Sequence, residues 1–247
     1  MPLDADEQPA GTAAGPREGD DGVVDLWCWP TGQAGAADWD VLDQAERDRA
    51  QRFVHDRHRI AFVRAHAGLR VILGRLLGTS PRDIAFVTGP HGKPSLAVAG
   101  APHFSLSHSG GLAAVAVATR FDLGLDIEHL RSVAVAELAA QVCSAEEARA
   151  LAAVAPTHRR EAFFNAWTRK EAFLKAIGAG FSLPPASFTV SLAPGEPARL
   201  LSVAGQAAEA ACWQLRSFVP AVGYVGAIAA RAEGWRIRNR DPQDTLP

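Results

Sequence analysis

The chain has 247 residues, 48% of them hydrophobic and 21% charged, with a net charge of −2. That is enough apolar material for one large core or two packed halves, and it excludes a disordered or fibrous protein. The near-neutral charge gives no global pull toward nucleic acid or an anionic membrane. Residues 1–22 (MPLDADEQPAGTAAGPREGDDG) mix Pro, Gly, Ala and acids without periodicity, which predicts a disordered acidic tail rather than a secretory leader. The remaining apolar runs are too short to span a bilayer, so the expected location is the cytoplasm. Cys28, Cys143 and Cys212 are scattered, odd in number and without metal-ligand spacing, so neither a disulfide framework nor a zinc site is expected.

In chain order, VVDLWCW (23–29) predicts a first strand, and residues from about Trp39 to Leu77 are helical. Phe53, Ile60, Val63, Ala67 and Val71 recur at helical spacings before the stop LGTSP. DIAFVTG predicts a strand, GPHGKPSL a turn-rich loop carrying Lys93, and HFSLSHSGGLAAVAVA (103–118) a strand, Gly-Gly turn and strand. A second round follows: the strand DLGLDIE, the helices SVAVAELAAQV and SAEEARALAAV, and a long helix, HRREAFFNAWTRKEAFLKAIG, with Gly178 as its C-terminal cap. SFTVSL, WQLRSFV and YVGAIAA predict strands. The expected fold is α+β, in two similar halves (23–120 and 121–237) with a ligand cleft between them, followed by a flexible tail (238–247).

Asp126 and Glu128 stand two apart in a strand, so both carboxylates point from one face. Alone, this is compatible with the solvated face of an antiparallel strand. Glu171 falls on a line with Phe164, Trp167, Leu174 and Gly178 that the helical period makes the apolar stripe, although Lys175 is available to it as a surface i,i+4 partner. Three converging carboxylates repel one another unless a cation binds them, and an all-oxygen set suits a hard ion such as magnesium. Between Glu46 and Arg75 lie Arg47, Arg49, Arg52, Arg57, Arg59, Arg64, Arg70 and Arg75 with three histidines. This segment suits phosphate, or else it is a pair of amphipathic helices with solvated arginine faces. Lys93, His108 and Lys175 are further donors able to converge on phosphate oxygens, although a histidine beside a Gly-Gly turn is often a packing residue. GPHGKP lacks the Walker pattern, so no P-loop is present.

The motif order GKPSL, FSLSHSGG, GLDIE and FFNAWTRKEAFLKAIGAGFSLP resembles the Sfp-type 4′-phosphopantetheinyl transferases over about residues 23–230. The resemblance implies transfer of the phosphopantetheine arm of coenzyme A to a serine of an acyl- or peptidyl-carrier domain. It implies Mg²⁺ on Asp126, Glu128 and Glu171, with Glu171 also taking the serine proton. Lys175 would steady the phosphates, Ser107 and His108 would bind phosphate, and Lys93 and Arg49 would meet the 3′-phosphate and adenine end. The chain length implies one cleft built by a single chain, hence a monomer, whereas the short carrier-protein synthases assemble their cleft between subunits. Arginines stand where the family often has lysines in the N-terminal part, and the acidic tail has no counterpart. Rival readings are a metal-dependent coenzyme A diphosphate hydrolase, a catalytically silent coenzyme A or carrier-binding module, and an RNA-binding protein. The last lacks stacking aromatics near its arginines.

Overall fold

The computed structural model describes residues 21–244, so the expected acidic tail lies outside the described residues apart from Asp21 and Gly22, as do residues 245–247. The first half contains β1 (Val23–Pro30), three helices, α1 (Ala36–Val41), α2 (Gln44–Gln51) and α3 (Asp56–Leu77), a short hairpin of β2 (Phe86–Thr88) and β3 (Pro94–Leu96), and then β4 (His103–Ser109) and β5 (Leu112–Ala118). The second half repeats that order. It has β6 (Leu123–His129), three helices, α4 (Val135–Val142), α5 (Ala145–Ala153) and α6 (Arg159–Ile177), and a short pair, β7 (Phe188–Val190) and β8 (Leu200–Val203). After a short helix, α7 (Ala207–Ala211), come β9 (Gln214–Phe218) and β10 (Tyr224–Ala230). In each half the last strand lies between the other two, giving β1-β5-β4 and β6-β10-β9, so the duplication expected from element order appears as shared topology.

Two local differences from expectation have clear causes. The predicted Trp39–Leu77 helix is three helices; the second starts afresh because Asp43 accepts from the Glu46 amide while Glu46 Oε2 accepts from the Asp43 amide, a capping box. The first two residues of the expected flexible tail, Arg238 and Asn239, belong to β11 (Arg236–Asn239), a parallel fourth strand on β1. Arg238 grips Asp25 with two hydrogen bonds of 2.5 and 2.8 Å, and Arg240 Nε lies 2.9 Å from the same carboxylate. The second half therefore ends by returning to the first sheet. Among the described residues no helix is long and apolar enough to cross a membrane.

The long helix of each half covers one side of its sheet, and a shared core fills the other side. Leu26, Ala116, Leu125, Ile127, Ile228 and Trp235 pack there from both halves, and none is more than 2% exposed. The sheets themselves meet along β4 and β6, which run side by side in the same direction. Ser105, Ser107 and Ser109, alternate residues of one face of β4, accept the backbone N–H of Leu125, Ile127 and His129 at 3.0, 3.3 and 3.3 Å. Serine hydroxyls thus take the place of a strand ladder.

Helix α6 is buried on nearly every side rather than along one stripe. Its buried cations are satisfied by protein: Arg169 by Ser191 O at 2.6 Å and Ser217 Oγ at 3.2 Å, and Lys170 by Phe188 O at 2.6 Å and Glu147 Oε2 at 2.8 Å. Along the middle and C-terminal turns, Trp167, Glu171 and Lys175 are the half-buried positions, one helical turn apart. The helix lies so close to β6 that a Cβ on Gly124 would stand 2.0 Å from Ala172 O and 2.3 Å from Ala176 N. The neighbours are backbone and cannot swing away. Gly124→Ala is therefore expected to destabilise the protein by about 1–3 kcal/mol and to lower activity with it, read from the denaturant midpoint; an unchanged midpoint would show that α6 can shift freely on β6.

Candidate active site

The pleat of β6 delivers Asp126 and Glu128 to the β4 side of the sheet junction. Asp126 is 5% exposed; its Oδ1 accepts from Ser107 Oγ at 2.9 Å and from Lys175 Nζ at 2.7 Å. Its Oδ2 is buried without a hydrogen-bond partner, an expensive state for a carboxylate oxygen unless a ligand completes it. Glu128 accepts from Ser109 Oγ at 2.5 Å and from Arg131 at 3.1 Å. Burial pushes its pKa up, and the negative charge of Asp126 adds to that despite the Ser109 bond.

Glu171 arrives from α6. Its pKa is also raised, first by burial and then by Asp126, with Lys175 opposing and Glu128 reinforcing. Glu128 and Glu171 therefore both feel the negative charge of Asp126. Lys175 does not form the surface ion pair that i,i+4 spacing from Glu171 suggested; it crosses to Asp126. Among the described residues no group of three or more His, Cys, Asp or Glu closes into an arrangement that could hold a metal ion. The donor set still suits a hard cation, because all its ligating atoms are oxygen, one of them is orphaned, and two of the acids have raised pKa values.

A cleft of about 550 Å³ opens beside these acids, lined by Arg49, Phe62 and His66 from the first half, Lys93 from the β2–β3 turn, and Glu171 and Lys175 from α6. Of the basic segment, Arg49 reaches this cleft, with its guanidinium 5.1 Å from the centre of the Phe62 ring. Arg64 and Arg59 are paired with Asp38 and Asp56. Arg70 is wholly buried and is a structural tie: it bonds Glu46 Oε2 at 2.6 Å, Asp43, and the carbonyls of Pro81 and Ile84, fastening α2 to α3. His66 stacks on Phe62 and bonds Glu46 at 2.8 Å. Burial alone would raise the Glu46 pKa, but His66 and Arg70 outweigh it and hold it low.

Ser107 is buried on the carboxylate face, while His108 points the other way along β4 and is exposed. Surrounding protein pushes the His108 pKa down to about 4, and the positive charges of His66, Lys175, Arg49 and His58 add to that. The imidazole is therefore mostly neutral at pH 7. Lys93 lines the cleft wall, but its ammonium bonds Asp122 Oδ1 and the carbonyls of Leu123 and Ala176. The fold thus gathers Asp126, Glu128, Glu171, Lys175 and Ser107, sets Arg49 and His108 within electrostatic reach, and turns Lys93 toward protein.

Residues 122–229 match the family described as the 4′-phosphopantetheinyl transferase superfamily. The chain is 34% identical over 220 residues to the 4′-phosphopantetheinyl transferase HetI of Nostoc sp., a match covering 86% of this chain and 90% of that protein. The chain belongs to the 4′-phosphopantetheinyl transferase superfamily. It is also 32% identical over 153 residues to the transferase Sfp of Bacillus subtilis (61% of this chain, 66% of that protein), and 40% identical over 111 residues to AcpT of Salmonella typhimurium (44% and 56%). The family match begins at Asp122 and so contains GLDIE and the whole of α6, the elements that bring the acids together.

Sequence reasoning missed Ser105 and Ser109 as partners of β6, along with the His66–Glu46–Arg70 cluster. Alternate serines on one strand face were a readable signal for the first. The second depends on which helix faces meet. The raised Glu171 pKa has a stability consequence in metal-free buffer. The folded protein holds the proton more tightly than the unfolded chain, so stability falls as pH rises from about the ordinary value of 4.5 through the raised value. Glu171→Gln is expected to raise the denaturant midpoint at pH 7, and the gain should vanish toward pH 4. A gain that persists unchanged at pH 4 would mean that charge is not its source.

Proposed function

We propose that the protein transfers the 4′-phosphopantetheine arm of coenzyme A to a serine of an acyl- or peptidyl-carrier domain and releases adenosine 3′,5′-bisphosphate. The observation that carries this is that Asp126, Glu128 and Glu171 lie within electrostatic reach of one another and that Lys175 bonds Asp126, at the edge of a cleft lined by Arg49 and His66. Cations in the cleft suit the phosphates of the donor, and the acids suit a site where a hydroxyl must lose its proton.

Glu171 is assigned as the base. Its raised pKa brings its proton affinity closer to neutral pH while leaving the carboxylate able to accept, and it is only half-buried, so a serine from another protein can reach it. As the serine oxygen bonds to the phosphopantetheine phosphorus, the bond from that phosphorus to the bridging oxygen breaks. The electron pair leaves on the 5′-phosphate, and the hydroxyl proton passes to Glu171. Lys175 holds positive charge beside the reacting phosphate, and neutral His108, assigned with Ser107 and Arg49 to phosphate binding, can donate a hydrogen bond without adding charge. Asp126 through its orphaned Oδ2, Glu128 and Glu171 are the residues that would hold Mg²⁺, which when bound offsets negative charge on the diphosphate. One chain contributes every residue named, which supports a monomer, and a cytoplasmic setting would give access to coenzyme A and carrier domains.

The test is intact-mass measurement of an apo carrier domain incubated with the protein, coenzyme A and Mg²⁺. The expected result is a gain of one phosphopantetheine, abolished by EDTA and slowed roughly 10²–10⁴-fold in Glu171→Ala. Hydrolysis of coenzyme A with carriers unmodified would replace this reading by the diphosphate hydrolase, and binding without turnover by the silent module.

A further inference from the structure

The turn between β2 and β3 reaches out of the first half and rests on the C-terminal end of α6 in the second. Lys93 Nζ donates to Asp122 Oδ1 at 2.5 Å, to Ala176 O at 2.9 Å and to Leu123 O at 3.2 Å. An ammonium has three protons, and here all three have acceptors in the other half. Ala176 O belongs to the last turn of α6, where carbonyls lack helical partners and a cation is favoured. The Lys93 stem packs on Gly178, where an added Cβ would stand 3.3 Å from Lys93 Cδ, and the neighbouring His91 lies 3.1 Å from Ser182 Oγ. A second hollow of about 620 Å³ shares His91, Lys93, Pro94, Phe104 and Gly178 with the cleft, so the lysine stem is part of the boundary between the two.

An exposed ion pair with Asp122 alone would contribute little. The Lys93 side chain is only 20% exposed, however, and it also satisfies two carbonyls at the junction. What it touches leads directly to the acids. Ala176 follows Lys175 and lies just over one turn beyond Glu171, while Leu123 begins the strand that carries Asp126 and Asp122 immediately precedes it. We infer that Lys93 is a positioning residue, a latch that holds the end of α6 and the start of β6 against the first half, and that it does not bind the phosphates of the donor. The inference rests on the proposed transferase function and departs from the ligand role that the resemblance implies for this lysine.

The test compares the unmodified protein with Lys93→Met, Asp122→Ala and the double variant, using coenzyme A and 3′-dephospho-coenzyme A as donors to one apo carrier domain. Donor affinity by calorimetry and amide hydrogen exchange accompany the transfer kinetics. A latch predicts that both single variants lose about 10- to 100-fold in kcat/KM with either donor, as expected for misplaced catalytic groups, and that the double variant loses no more. It also predicts faster exchange at residues 122–125 and 176–182 in both. A phosphate ligand predicts the opposite pattern, which would overturn the inference. Lys93→Met would then lose affinity for coenzyme A but not for the dephospho form, Asp122→Ala would bind coenzyme A as well or better, and exchange would be unchanged. If the unmodified protein transfers from neither donor, the transferase reading fails, while the exchange pattern still decides the latch.

Discussion

The structure depends on how β4 and β6 are joined. Two edge strands have met without forming a backbone ladder, and the N–H groups of Leu125, Ile127 and His129 are satisfied by the hydroxyls of Ser105, Ser107 and Ser109 instead. Two of these hydroxyls have a second task. Ser107 and Ser109 turn their protons to Asp126 and Glu128, so the bonds that hold the halves together also aim the acids. A side chain larger than serine would push the strands apart, and an apolar one would leave buried amides unpaired.

Helix α6 completes the site because it is locked from all sides. Burying Arg169 and Lys170 is tolerable only because carbonyls of the β7 region and its flanks receive their protons, and that fixes the helix in rotation as well as in position. The close approach at Gly124 sets its distance from β6. With rotation and distance set, Trp167, Glu171 and Lys175 are left facing the opening. The raised pKa values of Glu128 and Glu171 follow from the same crowding. Burial first, and mutual repulsion after it, make these charges a local loss of stability at neutral pH that the rest of the fold offsets, a pattern common at sites arranged for a ligand.

The cleft shows how little a run of basic residues says about function until its partners are known. Arginines of one segment serve as a buried structural tie (Arg70), as a surface ion pair (Arg59), as a partner for the buried Asp38 (Arg64) and as a cleft cation (Arg49). The same holds for Lys93, whose side chain borders the cleft while its charge is turned away from it.

The sequence by itself determined the acids and their direction. Strand alternation puts Asp126 and Glu128 on one face, and helical spacing puts Glu171 and Lys175 on one line; both are local periodicities that survive whatever the rest of the chain does. The two-round order of strands and helices was equally legible, as was the Gly178 cap, which does adopt the left-handed conformation with φ of 63°. Only the tertiary structure decided that α6 is buried on most of its faces, that β11 returns to the first sheet, that Lys175 pairs with Asp126 and that Lys93 closes onto α6. Each of these is a choice of partner among residues 15 to 213 positions apart. Periodicity states which way a side chain points, whereas its partner is set by what the packed chain brings opposite.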